Sequence, residues 1–171
     1  MTLDFKHRQQ GSNLQKKACQ LYDRYLRYHR SGLQVAQQKY AHFSIGSTIV
    51  VNTMSYVSVR GFPQKAAGED FYLLNKLAKT GKILHVDLAR PIILQGRLSK
   101  RVPFGTGQNI AAIMHAVSSG KDYLVYNPKI YFEIAKSIQN IKNDNDASVN
   151  TAVKKYFSDA KIDKKLAKIK N

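Results

Sequence analysis

At 171 residues and 43% hydrophobic, the chain is one domain's length and rich enough in apolar side chains for a buried core, which excludes a wholly disordered reading. Lysine and arginine number 28 against 11 acids, a formal net charge of +17, so anionic partners are indicated: nucleic acid, a membrane surface or phosphorylated substrates. The single cysteine, Cys19, excludes an intrachain disulfide, and zinc-type Cys/His spacings, a Walker loop and a dinucleotide GxGxxG are all missing from the sequence.

Residues 1–13 are polar and charged, unlike a secretory leader, and no apolar run reaches the eighteen or so residues of a membrane span. One cysteine and no leader favour a reducing, cytoplasmic setting. Leu14, Ala18, Leu21, Tyr22, Tyr25 and Leu26 recur at helical spacing and predict an amphipathic helix over 13–30, closed by Ser31-Gly32. Cys19 on that helix reads as a buried structural thiol. Tyr22, Tyr25 and Tyr28 read as core and rim packing in preference to a stacking platform.

Residues 43–53, FSIGSTIVVNT, are β-branched and apolar, the composition of a buried strand, with Gly46-Ser47 marking a bulge or a close approach of the backbone. A short element and a Gly-Phe-Pro break then deliver Glu69-Asp70 to the start of a helix. There the free N–H groups and dipole favour a carboxylate, either as a capping acid or as a base aimed into a cleft. Phe71, Leu74, Leu77 and Ala78 predict that helix's apolar face, and Gly81 its end. Residues 83–88 and 91–94 read as short strands.

Arg97, Lys100 and Arg101 place three cations within five positions, ahead of the turn Pro103-Phe104-Gly105-Thr106-Gly107. A helix over 107–119 follows, its N-terminus suited to anions. His115 on it reads as a partly buried, satisfied side chain. Residues 122–127 are extended, and Pro128 starts a helix to about Ile141. Asp144 and Asp146 form an Asp-x-Asp pair, but after a solvated helix end, so no metal site is assigned there. The Lys-rich tail reads as a solvated terminal helix, or as one lying on an anionic membrane. The cations are spread along the chain, so a nucleic-acid stripe is not evident.

Four ordered segments carry a resemblance: Gly46-Ser47-Thr48; Gly61-Phe62-Pro63; Ala67-Gly68-Glu69-Asp70-Phe71-Tyr72-Leu73-Leu74; and Arg97-x-Ser99-x-Arg101-Val102-Pro103-Phe104-Gly105-Thr106-Gly107. In order and spacing they resemble the C-terminal, acceptor-side part of glycosyltransferase family 2. The resemblance implies a GT-A fold and inverting transfer of a sugar from a nucleotide-sugar donor to an acceptor hydroxyl. Asp70 matches the family's catalytic base, and Glu69 would orient the acceptor or the base. Arg97 and Arg101 would stabilise the leaving diphosphate, and Gly46 and Ser47 would contribute to substrate binding.

The family also carries an upstream nucleotide-binding half that ends in an Asp-x-Asp motif holding a divalent metal, Mg or Mn. Residues 1–45, read as one helix, supply neither. The resemblance therefore implies an acceptor-side half: a truncated frame, a remnant, or one part of a split enzyme that needs a complementing N-terminal fragment. Its unpaired sheet edge would favour self-association.

The expected fold class is α/β: residues 1–142 as a partial GT-A-like domain, a short mixed sheet flanked by helices, and 143–171 as a Lys-rich linker and helical tail. The expected setting is cytoplasmic, with peripheral contact at the inner membrane face. The rival reading is a non-enzymatic basic module binding nucleic acid or an anionic membrane surface.

Overall fold

The computed structural model describes residues 1–8, 11–65, 67–98 and 105–143, with side chains through residue 140. The expected tail beyond Asn143 and the basic turn at Lys100–Phe104 lie outside the described residues. The fold is mixed α/β, with five α-helices and short parallel strand pairs among the described residues.

The chain opens on a strand, not a helix. β1 (Thr2–Leu3) pairs parallel with β3 (His85–Val86), and β2 (Phe5–Arg8) pairs parallel with β4 (Ile92–Gln95). Asp4 fuses the two pairs: its N–H donates to Val86 O at 2.9 Å and its carbonyl accepts from Ile92 N–H at 3.0 Å. The result is one parallel ribbon, with residues 87–91 as an excursion on its second strand.

Phe5 and His7 of β2 point into the core while Lys6 and Arg8 face out, the period-two pattern of a half-buried strand. Residues 1–45 are thus two strands and a helix instead of a helix alone. Four residues are too short for their alternation to stand out, and their partners lie far along the chain.

α1 (Asn13–Val35) starts at Ser12, whose Oγ accepts the Gln15 N–H at 3.2 Å. It runs through Ser31-Gly32, where the sequence predicted its end. Gly32 serves a contact instead of a cap. A methyl group there would stand 2.4 Å from the ring of Tyr131, which packs buried against the helix from α5 (Lys129–Asn143). The Tyr131 hydroxyl also lies 2.8 Å from His29 Nδ1.

The predicted strand over 43–53 does not form. Gly46–Thr48 is a single 3-10 turn, and Ile49 makes one antiparallel bridge to Thr2. Buried Thr48 holds the turn, its N–H and hydroxyl both donating to the Ile45 carbonyl at 2.9 Å. Side-chain to backbone bonding has outcompeted the strand ladder here.

α2 (Thr53–Ser58) follows, capped by Asn52. α3 (Glu69–Thr80) buries Leu73, Leu74, Leu77 and Ala78, while Phe71, predicted on that face, is exposed. α4 (Thr106–Ser118) packs on α1, and His115, predicted to be partly buried, is exposed. Residues 121–127 carry no strand.

Three apolar clusters form the core. Ala18, Cys19 and Tyr22 meet Ile110 and Ile113 between α1 and α4; Val59 meets Leu73, Leu74 and Leu77; Phe5 meets Phe43 and Leu94. Cys19 is fully buried, and burial, then the Asp23 charge, pushes its thiol pKa up, away from reactivity. Among the described residues, no helix is long and apolar enough to cross a membrane.

Gly32→Ala separates propensity from packing. Alanine favours a helix interior by about 1 kcal/mol over glycine. The Tyr131 ring has no room for the added methyl, and overpacking of this kind costs about 1–3 kcal/mol. The variant is expected to melt below wild type in a thermal denaturation followed by circular dichroism.

Candidate functional site

Asp70 reaches its position through two backbone devices. Gly68 takes a left-handed conformation (φ +73°) that suits glycine and turns the loop into α3. Glu69 and Asp70 then fall in the first turn, where the helix dipole favours acids. The 3-10 turn brings Gly46 to the same point: its N–H donates to Asp70 Oδ2 at 3.0 Å, and the Phe71 N–H donates to Asp70 Oδ1 at 2.7 Å. The carboxylate is thereby oriented by backbone donors from two separate segments.

Burial raises the Asp70 pKa above the usual carboxylate value. The Phe71 N–H opposes that shift, the neighbouring Glu69 charge adds to it, and the Gly46 N–H opposes it. The net effect is a carboxylate more basic than an ordinary aspartate.

This carboxylate lines a cleft of about 840 Å³, within the range typical of small-molecule sites. One wall comes from α1 (Tyr22, His29, Arg30) and another from Tyr40–Gly46. The starts of α3 and α4 complete it, with Phe71, Tyr72, Gly105 and Thr106. The Tyr22 hydroxyl bonds Thr106, and burial pushes its pKa up to about 12, so it stays protonated.

Arg30 Nε and both ring nitrogens of His42 are buried at this cleft and find no hydrogen-bond partner among the described residues. Arg30 lies over the Phe43 ring, 5.1 Å from its centroid. Burial lowers the pKa of His42 and keeps its imidazole neutral near pH 7.

The structure brings together three of the residues selected from sequence: Asp70, Glu69 and Gly46 all line the cleft. Ser47 is exposed and does not line it, and Arg97 is exposed and stands apart from its lining. Arg101 lies outside the described residues. The cleft's described cations are Arg30 and Lys65. Nothing in the sequence marked Arg30, which sat on an amphipathic helix among several cations, nor His42, a lone histidine in a loop.

Among the described residues, no group of three or more His, Cys, Asp or Glu side chains is placed to hold a metal ion. The resemblance assigns the divalent metal to an upstream Asp-x-Asp, and the described residues lining the cleft offer no such pair. The chain matches no family model, no curated protein and no solved structure.

The neighbours of Asp70 act on its pKa with opposite signs. Gly46→Pro deletes a donor to the charged form, so the Asp70 pKa should rise. Gly46→Ala keeps the N–H, and its methyl would sit at ordinary contact, 3.6 Å from Asp70 Cβ, so the pKa should hold. Glu69→Gln removes a like charge, so the pKa should fall. Carboxyl carbon chemical shifts followed through a pH titration read all three.

Proposed function

We propose that this chain supplies the acceptor side of an inverting, nucleotide-sugar-dependent glycosyltransferase of the GT-A type, with Asp70 as general base. One observation carries the reading: the carboxylate that matches the family's base lies in a cleft, oriented by two backbone N–H groups and made more basic by burial. A residue that only capped a helix would need neither the cleft nor the raised pKa.

In the reaction, the acceptor hydroxyl oxygen attacks the anomeric carbon of the donor. The carbon–oxygen bond to the diphosphate breaks, its electron pair leaves with the diphosphate, and Asp70 takes the hydroxyl proton. Attack opposite the leaving group inverts the anomeric centre. Arg30 supplies positive charge within the cleft for the departing diphosphate. The described residues contain no Asp-x-Asp pair, so the donor's nucleotide and any divalent metal would be held by a complementing, βα-rich half.

The test mixes the full chain with such a partner and measures transfer of labelled sugar from a panel of nucleotide-sugars. Transfer is expected with the partner and little or none without it. Asp70→Asn should slow it by about 10²–10⁴-fold, the usual worth of a positioned base. Wild-type rates from Asp70→Asn would remove Asp70 as the base, and no transfer with any donor and partner would remove the reading itself.

The pH profile has a definite sign. Transfer requires ionised Asp70, so the rate should fall as pH drops through a pKa above the ordinary aspartate value. Glu69→Gln should move that acid limb to lower pH.

A further inference from the structure

α3 buries its leucines on one side and leaves two aromatic rings beside the candidate base. Phe71 is 46% exposed and Tyr72 45% exposed, both line the cleft, and both follow Asp70 directly in the chain. Their centroids are 5.5 Å apart with planes at 75°, so they form a corner of two crossed faces. The Lys65 ammonium lies 5.6 Å from the Tyr72 ring centroid.

Large aromatic side chains left half in water at a cleft, next to the Asp70 carboxylate, are ligand-facing surface; the core of α3 is complete without them. Lys65 already takes the cation's place at Tyr72, so the rings are not left open for an ammonium ligand.

From this corner we infer that the acceptor is a saccharide, whose pyranose ring packs its C–H groups into the angle between Phe71 and Tyr72 and thereby presents a hydroxyl to Asp70. A pyranose has the matching shape: an apolar face of C–H groups and an edge of hydroxyls. The face suits the rings, while the hydroxyl edge suits the Asp70 and Glu69 carboxylates and the Lys65 ammonium. A small aliphatic alcohol would leave the corner unused. The inference rests on the sugar-transfer reading of the same cleft and names its acceptor.

Binding to the full chain alone tests it without requiring transfer. The probes are the methyl pyranosides of glucose, galactose, mannose and N-acetylglucosamine, with 1,2-cyclohexanediol and adenosine monophosphate as controls. Amide and aromatic NMR shifts are followed through each titration. At least one pyranoside should bind and perturb the Phe71 and Tyr72 signals.

Phe71→Ala and Tyr72→Ala should each weaken that binding by up to about tenfold, the usual worth of an aromatic face. Tyr72→Phe and Phe71→Tyr, which keep the faces, should bind like wild type. Three outcomes overturn the inference: no pyranoside binding, alanine variants that bind as tightly as wild type, or the nucleotide binding at the corner in place of the pyranosides.

The two proposals fail separately. Pyranoside binding at the corner without transfer to any acceptor leaves a sugar-binding site and removes the enzyme. Transfer that Phe71→Ala and Tyr72→Ala leave untouched keeps the enzyme and removes the corner.

Discussion

Asp23 is the joint on which the rest of the molecule turns. From α1 it accepts the His7 backbone N–H on Oδ2 at 3.0 Å, and its Oδ1 lies 2.5 Å from His7 Nδ1. His7 is 2% exposed, so its amide and ring have no water to turn to. Leaving such groups without an acceptor costs about 1–3 kcal/mol each. One helical turn later Arg27 repeats the clasp, donating to Asp4 Oδ1 at 3.0 Å and to the Phe5 carbonyl at 2.6 Å, with its guanidinium over the Phe5 ring. Together the two side chains hold the long helix against the first strand, and that strand in turn holds β3 and β4 through backbone pairing.

The cleft depends on that joint. Its α1 wall can face the start of α3 only because the first strand anchors the helix at one edge and pairs with Ile49 at the other, just past the turn that presents Gly46. Asp70 is held at the meeting point of two independently built pieces, the 3-10 turn and the left-handed Gly68. The same assembly leaves Arg30 Nε and the His42 ring nitrogens unsatisfied. Polar groups buried without partners weaken the fold, and Asn75 Oδ1, outside the cleft lining, is a fourth such atom among the described residues.

Four of the five described helices were legible because they carry their own instructions: apolar spacing over many residues, Pro128 before a start, Gly81 at an end; α2, lying across the expected strand and the short element after it, was not. Legible too was the helix start at Gly68-Glu69-Asp70, with an acid that could serve either as a cap or as a base in a cleft. The errors share a cause. Gly32 resembled a stop signal, yet an aromatic ring more than ninety residues later needed the space. FSIGSTIVVNT resembled a strand, yet Thr48 could satisfy the Ile45 carbonyl locally, and among the described residues only its Ile49–Val50 stretch pairs, with Met1–Thr2. Phe71 fitted the apolar pattern of α3, yet the core filled with Leu73 instead. Arg97 belonged to a cluster of cations in sequence, but it stands exposed just past β4 and outside the cleft lining, while Lys100 and Arg101 lie outside the described residues.

From residue order alone came the α/β class, the placing of four of the five described helices, the buried thiol and an acid heading the middle helix, because those properties are set by periodicity, capping and charge over short spans. Tertiary structure alone decided that Gly46 meets Asp70, that Arg30 and His42 line the same cleft, and that two aromatic rings stand beside the carboxylate. Those contacts join segments that nothing in local sequence links. They exist only once a parallel ribbon closes the chain on itself and water is excluded from the groups it brings together.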